Sequence, residues 1–441
     1  MRTVFWLLVP ALFGTLAPPQ DSPAHLPPGR AAAAAPALPS PVSRVTVWPS
    51  SADVFSGAGF RFRASVSGAQ AQAPRWMLVG PGSLGQDGTY TATAHAGASA
   101  ALVASIGQAA GAALARVVLP PAAGTALLLA GCYDDGAVDV RSLRDLRRIG
   151  MLASADRAGG LAVDARARTA LISVADRVWA LDLRSMRWRA SAPVRGASFS
   201  QIAQLSGGVF AVADNYAHAG GRGVRLFKLQ NAQPVLVASI NAGETPEGII
   251  ATRSGQGFIV SNVNGDSVMR FMLDRRGNVH ANGTALTGHR PFGIAEDVKR
   301  HLLFVALNDN ATVNGAFSRP GLQVFDSVSL RRIGKALKTG GADALPLGVA
   351  LDAGSNRLFV TNEGEGDVAV WALPQLRRIG TLQTGPTPWQ PAVDTLRHRL
   401  YVPSAGSNSI DVFDTRTLRR IGAPLPTCGY PTTIAPLQAP S

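Results

Sequence analysis

This chain of 441 residues is poor in cysteine, lysine and histidine, with 2 cysteines, 4 lysines among its 42 basic residues, and 7 histidines. The two cysteines are far apart, so the CxxCH motif that attaches haem covalently is absent. HExxH, GxSxG and P-loop motifs are absent as well. The stretches NVNGD and DDG hint at calcium loops but lack the full ligand spacing. The sequence therefore predicts no cofactor and no metal site, and it specifies no catalytic nucleophile.

Long apolar runs are absent except near the N-terminus. Arg2 precedes a short apolar stretch over residues 4–16, which is typical of an export signal and too short to span a bilayer comfortably. We predict a signal peptide over 1–17, with a cut near Ala24 or an uncleaved anchor as alternatives. Residues 18–41 form a Pro/Ala-rich run that predicts a linker. The protein is expected to be exported, periplasmic or extracellular, and soluble or tethered by its N-terminus.

A small all-β region is predicted over residues 42–119. Phe60 and Phe62 alternate with Arg61 and Arg63, as in a half-buried strand. A strand ending in proline, a later core tryptophan and a DGTYTA turn follow in order. This order resembles the bacterial Ig-like domains of envelope proteins. The resemblance implies a β-sandwich with Trp76 in its core and Tyr90 packed at a turn, used as a spacer or an adhesive stalk.

Internal repeats dominate residues 124–441. The motif LRRIG occurs four times, and its last two copies are 42 residues apart. Each repeat carries four short β runs, the first like PxGIAxD and the second like RLFVTN, which is the signature of a β-propeller blade. Seven first strands and seven second strands can be counted, but the chain starts with a second strand and ends with a first strand. We predict an all-β, seven-bladed propeller closed by pairing of its N- and C-terminal strands within one blade.

The second-strand motif appears as FVTN at residues 359–362, with degenerate copies such as FAVADN and LYVPSAG. These repeats resemble the YVTN-type propeller family. The resemblance is specific for the fold, but the same fold hosts many functions.

The predicted closure also predicts where the two cysteines lie relative to each other. Cys132 follows the second strand of the closing blade, and Cys428 precedes its first strand. Because these two strands are antiparallel neighbours, both sulfurs are expected at the same end of one blade. We predict a Cys132–Cys428 disulfide, with two free thiols as the alternative.

Polar residues cluster in the loops after second strands and before first strands, which share one face of a propeller. Convergent polar groups at a channel mouth are the default hypothesis for a binding site, although Asn and Asp also serve tight turns. The histidines are the better candidates because imidazole is not a turn residue. The predicted ligand-binding residues are Asp214, His218, Glu244, Asn262, His289, Arg290, Asn308, Asn362, Glu363 and Trp389.

Two functions remain open. The first is a non-catalytic binding or scaffolding protein of the cell envelope, whose channel mouth binds a protein, peptide or glycan. The second is an enzyme, since related propellers include lactone hydrolases and subunits of quinoprotein dehydrogenases. Nucleic acid is not an expected partner, because the basic residues are not interleaved with aromatic residues as a stacking surface needs.

The LRRIG copies fall in four contiguous blades once the ring is closed. They first mark the turn into the outermost strand, where charge discourages edge-to-edge pairing. With a net charge of +14, they also suggest a basic arc that contacts anionic lipid or polysaccharide. The arginines of this basic arc are Arg147, Arg148, Arg331, Arg332, Arg377, Arg378, Arg419 and Arg420.

Overall fold

The computed structural model describes residues 44–68, 73–93, 95–153, 157–215, 223–252, 254–309, 311–313, 316–318 and 320–439. These residues are almost entirely β-strands and turns. The predicted signal peptide and linker lie outside the described residues. Within the described part of the chain, no helix is long and apolar enough to cross a membrane.

Nine strands are described in the N-terminal region, within residues 44–68, 73–93 and 95–118. They are β1 (Arg44–Trp48), β2 (Ser51–Phe55), β3 (Gly59–Arg61), β4 (Arg63–Ser67), β5 (Arg75–Val79), β6 (Ser83–Leu84), β7 (Thr89–Thr91), β8 (Ser99–Ile106) and β9 (Ala109–Val118). β1 pairs with β4, β7 lies between β3 and β6, and β2, β9, β8 and β5 follow one another in a third sheet. Trp76 and Tyr90 are both buried in the apolar core of this region, as predicted.

The remaining strands begin at residue 127. They are β10 (Leu127–Cys132), β11 (Ala137–Ser142), β12 (Arg148–Ala153), β13 (Ala158–Asp164), β14 (Thr169–Val174), β15 (Arg177–Asp182), β16 (Arg187–Ala190), β17 (Phe199–Gln204), β18 (Val209–Asp214), β19 (Gly223–Gln230), β20 (Gln233–Ile240), β21 (Pro246–Ala251), β22 (Gly257–Asn262), β23 (Ser267–Leu273) and β24 (Val279–Leu286). They continue as β25 (Pro291–Asp297), β26 (Leu302–Leu307), β27 (Ala311–Val313), β28 (Ala316–Ser318), β29 (Gly321–Asp326), β30 (Pro346–Asp352), β31 (Arg357–Asn362), β32 (Asp367–Ala372), β33 (Arg377–Gln383), β34 (Ala392–Asp394), β35 (Arg399–Ser404), β36 (Ser409–Asp414), β37 (Leu425–Pro426) and β38 (Pro431–Leu437).

These strands pair with their chain neighbours into successive antiparallel sheets, which we number I to VII. Sheet I is β13–β16, sheet II β17–β20, sheet III β21–β24, sheet V β30–β33 and sheet VI β34–β37. Sheet IV contains β25, β26 and β29, and its outer edge is completed by isolated bridges to Arg332 and Leu337. Sheet VII joins β38 to β10, β11 and β12. The repeat pattern predicted successive short antiparallel sheets of this kind.

The glycine of PxGIAxD lets the first strands of adjacent sheets approach closely. A Cβ on Gly248 would collide with the backbone oxygen of Phe292 in the next sheet. The side chain of Ser261 binds on both sides of this contact, to the backbone of Gly248 and, at 2.5 Å, to the carbonyl of Phe292. Thr361 of FVTN makes the equivalent bond to Gly348, at 2.8 Å. Ser261 therefore connects two sheets, and the hydroxyl of Thr361 is engaged within sheet V.

The last strand of the chain, β38, pairs antiparallel with β10, with Leu437 opposite Leu127. Cys132 and Cys428 are joined by a disulfide, with their Cα atoms 5.7 Å apart. Both findings agree with the predicted pairing of the two ends, and the disulfide prediction is confirmed.

The N-terminal region packs directly on sheet VII. β2 pairs in parallel with β12 through Val54 and Met151, so the third sheet of the region and sheet VII form one continuous sheet. Phe55 is fully buried among side chains of sheets VII and I. The disulfide and Met151 in turn belong to the core of the N-terminal region. This region therefore covers the outer edge of sheet VII, which a free-standing spacer would not do.

LRRIG marks the turn from the third to the fourth strand of a sheet. Its leucine adopts a left-handed backbone in every copy, with φ of 63° at Leu146, 56° at Leu330, 51° at Leu376 and 60° at Leu418. Left-handed geometry is costly for a side chain with a Cβ. Leu146 and Leu330 are buried, so packing offsets this cost. The motif is thus a turn signal first.

The arginines of the basic arc divide into two groups. Arg148 donates at 3.0 Å to the fully buried Asp139, and Arg420 binds the equally buried Asp411. Both are therefore committed to internal ion pairs. The other six arginines of the set, all exposed, are Arg147, Arg331, Arg332, Arg377, Arg378 and Arg419.

Candidate functional site

A repeated backbone bond defines one end of the sheets, which we call the mouth face. In five sheets, among the described residues, the residue just after the second strand donates its N–H to the carbonyl of the residue just before the first strand, and in sheet VI the acceptor Thr387 lies a few residues earlier. The donor and acceptor pairs are Tyr133 and Tyr430, Asn215 and Ser198, Val263 and Thr245, Asn308 and Arg290, Glu363 and Leu345, and Ala405 and Thr387. These bonds bring the two sets of loops together, as the sequence predicts.

Arg290 is presented by such a turn. Its φ is 52°, a left-handed conformation, and its N–H donates to Asp266 at 3.0 Å. The guanidinium lies 5.8 Å from the ring centroid of Phe292 and 3.9 Å from the carboxylate of Asp309. Its Nε is buried and has no hydrogen-bond partner among the described residues. A buried donor left unpaired costs about 1–3 kcal/mol, so the site favours a ligand that accepts a hydrogen bond there.

Glu363 lies close enough to Arg290 for the charge of the guanidinium to affect the pKa of its carboxyl. Burial raises the pKa of the Glu363 carboxyl to about 7, against the opposing effects of a hydrogen bond from Asn308 and the charge of Arg290. Its Oε2 atom is buried and has no partner within the described part of the chain. A carboxyl with this pKa exchanges its proton near neutral pH, and such groups are concentrated at functional sites.

Aromatic rings continue the cluster beyond Glu363. Tyr430 packs edge-on against Trp389, with ring centroids 6.1 Å apart, and lies 6.3 Å from Tyr133. Burial raises the pKa of Tyr430, and the charge of Glu363 raises it further. Arg157 lies over the Tyr133 ring at 5.1 Å. We call Arg290, Glu363, Trp389, Tyr430 and Tyr133 the mouth cluster.

His289 lies beside this cluster, and its imidazole contacts the carboxylate of Asp266. Its Nδ1 is 3.1 Å from a carboxylate oxygen of Asp266, the same atom that accepts the N–H of Arg290. The arrangement orients the imidazole next to Arg290. Of the predicted residues, the structure thus brings together His289, Arg290, Asn308, Glu363 and Trp389.

Three other predicted residues make structural contacts. Asp214 is fully buried and accepts from Arg225 at 3.0 Å. Asn262 donates to Ser267 at 3.1 Å, and Asn362 donates to Asp367 at 2.7 Å, each within its own loop. These two asparagines therefore stabilise their turns, the alternative that their residue type suggests. Glu244 is exposed on the mouth face next to Thr245, and His218 lies outside the described residues.

Sequence reasoning missed Tyr430, Tyr133 and Glu247. Tyr430 occupies the same repeat position as Arg290, with φ of 55°, so aligning the turns would have found it. Tyr133 directly follows Cys132, and no signal in the sequence separated it from the disulfide. Glu247 receives a 2.8 Å hydrogen bond from Asn215, and burial raises its pKa. Among the described residues, no group of three or more histidine, cysteine or acidic side chains is placed to hold a metal.

The sequence matches no protein-family profile and no curated protein. Solved structures nevertheless resemble this one. A provisionally assigned 6-phosphogluconolactonase from Bacteroides fragilis aligns with a TM-score of 0.59 at 13% identity, over 71% of this chain and 98% of that chain. The periplasmic gluconolactonase of Pseudomonas aeruginosa aligns with a TM-score of 0.58 at 16% identity, over 71% and 99%. A dihydro-heme d1 dehydrogenase aligns with a TM-score of 0.51 at 13% identity, over 71% and 76%. At such identities the likeness shows the fold alone, which is an all-β, propeller-like fold.

Proposed function

We propose that the protein is an exported envelope protein whose mouth cluster binds a glycan or sugar acid. In this proposal an Ig-like module, residues 42–119, precedes a seven-bladed propeller of the YVTN type, residues 124–441, which β38 closes by pairing with β10. The pairing of β38, the succession of sheets I to VII and the buried Trp76 support this architecture.

Export is supported by two features. The N-terminal apolar stretch follows Arg2, as in a signal peptide. The disulfide between Cys132 and Cys428 is of the kind that persists in oxidising compartments. The proposed location is the periplasm or the cell exterior.

The ligand class follows from the chemistry of the mouth cluster. Trp389 and Tyr430 offer apolar ring surface, and Arg290 offers an unpaired buried donor beside the unpaired oxygen of Glu363. A sugar ring combines apolar C–H faces with hydroxyl donors, and a sugar acid adds a carboxylate for the arginine. The unpaired Arg290 and Glu363 atoms beside aromatic rings are the observation that carries the proposal. A protein or peptide ligand would be an outcome of the test.

Calorimetric titration of the purified protein with D-gluconate and D-glucose tests this binding. We expect saturable gluconate binding that the variant Arg290→Gln weakens by about tenfold or more, because a charge-assisted hydrogen bond contributes about 1.5–3 kcal/mol. Arg331→Gln is the matched control, since Arg331 is an exposed arginine outside the mouth face. The proposal fails if gluconate, glucose and oligosaccharides all show no saturable binding, or if both variants bind gluconate alike.

Lactone hydrolysis is a second candidate, favoured by the pKa of about 7 at Glu363 beside Arg290. Ionised Glu363 would take a proton from water, whose oxygen attacks the lactone carbonyl carbon. Arg290 would stabilise the resulting oxyanion. The ring C–O bond then breaks, and the released alkoxide takes the proton from Glu363, so one water is consumed and a hydroxy acid forms.

Hydrolysis of glucono-δ-lactone above the spontaneous rate separates the two candidates. An enzyme would show a rate that rises as Glu363 ionises near pH 7 and that Glu363→Gln reduces by about 100-fold or more. A rate equal to the spontaneous one, together with gluconate binding, leaves the binding function alone.

A further inference from the structure

A cleft of about 560 Å³ opens between sheets III and IV, away from the mouth face. Thr252, just after β21 of sheet III, lines one side, and Ser327, just after β29, lines the other. Glu296, Met272, Val298 and Val328 complete much of the wall. None of these residues belongs to the mouth cluster.

Comparison of the repeats shows what this cleft lacks. Ser327 corresponds to Thr415 of sheet VI, and Thr252 corresponds to Asp352 of sheet V. Thr415 donates its hydroxyl proton to the carboxylate of Asp352 at 2.5 Å, across the boundary between those two sheets. At the boundary of sheets III and IV the aspartate is replaced by Thr252. The hydroxyls of Thr252 and Ser327 are both buried and have no partner among the described residues.

A positive charge lies next to the vacant carboxylate position. Arg270 of β23 donates to the carbonyl of Ser327 at 2.6 Å and to the side chain of Asn282 at 2.9 Å. The guanidinium therefore anchors the Ser327 turn and lines the same cleft as the two hydroxyls. Two hydroxyl donors and an arginine form a suitable environment for a carboxylate supplied by a ligand.

Glu296 favours a positively charged group on the ligand. Its Oε2 atom is buried and unpartnered within the described part of the chain. A ligand that brought only a carboxylate would face repulsion from Glu296, whereas an ammonium group would pair with it. Met272, Val298 and Val328 add apolar surface, and Val328 is 56% exposed.

We propose that this cleft binds a small α-amino acid with an apolar side chain. Its carboxylate takes the position that Asp352 occupies in the neighbouring repeat and accepts from Thr252 and Ser327. Its ammonium group donates to Glu296, and its side chain contacts Met272 and Val328.

Calorimetry of the full chain with L-leucine, 4-methylpentanoate and 3-methylbutylamine tests the proposal. We expect saturable binding of L-leucine and binding at least about tenfold weaker for the two analogues, since each lacks one charged group. Glu296→Gln should weaken L-leucine binding by about tenfold, while Ser83→Ala, an exposed hydroxyl outside the cleft, should leave it unchanged.

Thr252→Asp is the decisive variant, because it restores the carboxylate found at Asp352. The new carboxylate should accept a hydrogen bond from the Ser327 hydroxyl, as Asp352 does from Thr415. The variant should keep or raise the melting temperature and abolish L-leucine binding. Retention of wild-type affinity in folded Thr252→Asp would overturn the proposal. Absence of saturable L-leucine binding to the wild type up to about 10 mM would overturn it as well.

Discussion

The two ends of sheets I to VII differ in how regularly their polar residues repeat. At the end away from the mouth face, Asp352 and Asp394 recur at the close of first strands and cap the next turn with hydrogen bonds of 3.0 Å. At the mouth face, Arg290 and Glu363 keep buried atoms without partners among the described residues. The repeated aspartates thus have a structural role, whereas the unpartnered Arg290 and Glu363 atoms support the proposed ligand site. Thr252, which departs from the aspartate pattern, is likewise the basis of the proposed cleft site.

The largest expected effect concerns the disulfide that closes sheet VII at its mouth end. Replacing both Cys132 and Cys428 by serine should lower the free energy of unfolding by up to about 5 kcal/mol, because the bond closes a very long loop. Chemical denaturation of the variant and of the oxidised wild type measures this difference. Reduced wild type is the control and should match the variant. Equal stability of oxidised wild type and variant would show that noncovalent pairing of β38 with β10 suffices.

A variant of Asp352 tests the end of the sheets away from the mouth face. It is fully buried and accepts from Ser355 at 2.7 Å and from Thr415. Asp352→Ala should destabilise the protein by about 3 kcal/mol, since several donors lose their partner. Asp134→Ala, an exposed acid of the mouth face, should change stability by less than about 0.5 kcal/mol. Comparable losses in the two variants would remove the contrast between the ends.

Glu363 tests the other end through pH. Its folded pKa of about 7 lies above the ordinary value of 4.5, so the folded protein holds this proton more tightly than the unfolded chain. The contribution to stability is complete below pH 4.5 and is lost as pH rises through 7, a change of about 3 kcal/mol. Glu363→Gln should match wild type near pH 4 and be more stable at pH 8. Melting curves at both pH values measure this, and a pH-independent difference would contradict it.

The smallest effect on stability is expected for the exposed part of the basic arc. Arg331, Arg332, Arg377 and Arg378 are exposed, in contrast to Arg148 with its buried ion pair. Replacing the four by serine should leave the melting temperature nearly unchanged and reduce cosedimentation with anionic vesicles, most strongly at low salt. Vesicle binding that the variant retains, or that salt does not weaken, would show that these arginines serve solubility alone.

The sequence alone was sufficient to predict the repeated strands, the pairing of β38 with β10 and the disulfide. These features depend on short-range alternation and on a periodic count, which a linear sequence displays. It also placed Arg290 and Glu363 on one face. It did not separate them from Asn262 and Asn362, because turn-capping and ligand-binding residues share the same chemistry and the same loops.

Tertiary structure decided which polar atoms found partners. Asp214 pairs with Arg225, and Asn262 and Asn362 donate to Ser267 and Asp367. The Oδ1 atoms of both asparagines have no partner among the described residues, and the same holds for the Arg290 Nε and Glu363 Oε2 atoms. Burial then raised the pKa of Glu363. Packing of the N-terminal region on sheet VII was likewise decided in three dimensions, because Phe55 meets its neighbours only after both folds exist. Periodicity sets the scaffold locally, but partner and dielectric environment depend on contacts between residues distant in the chain.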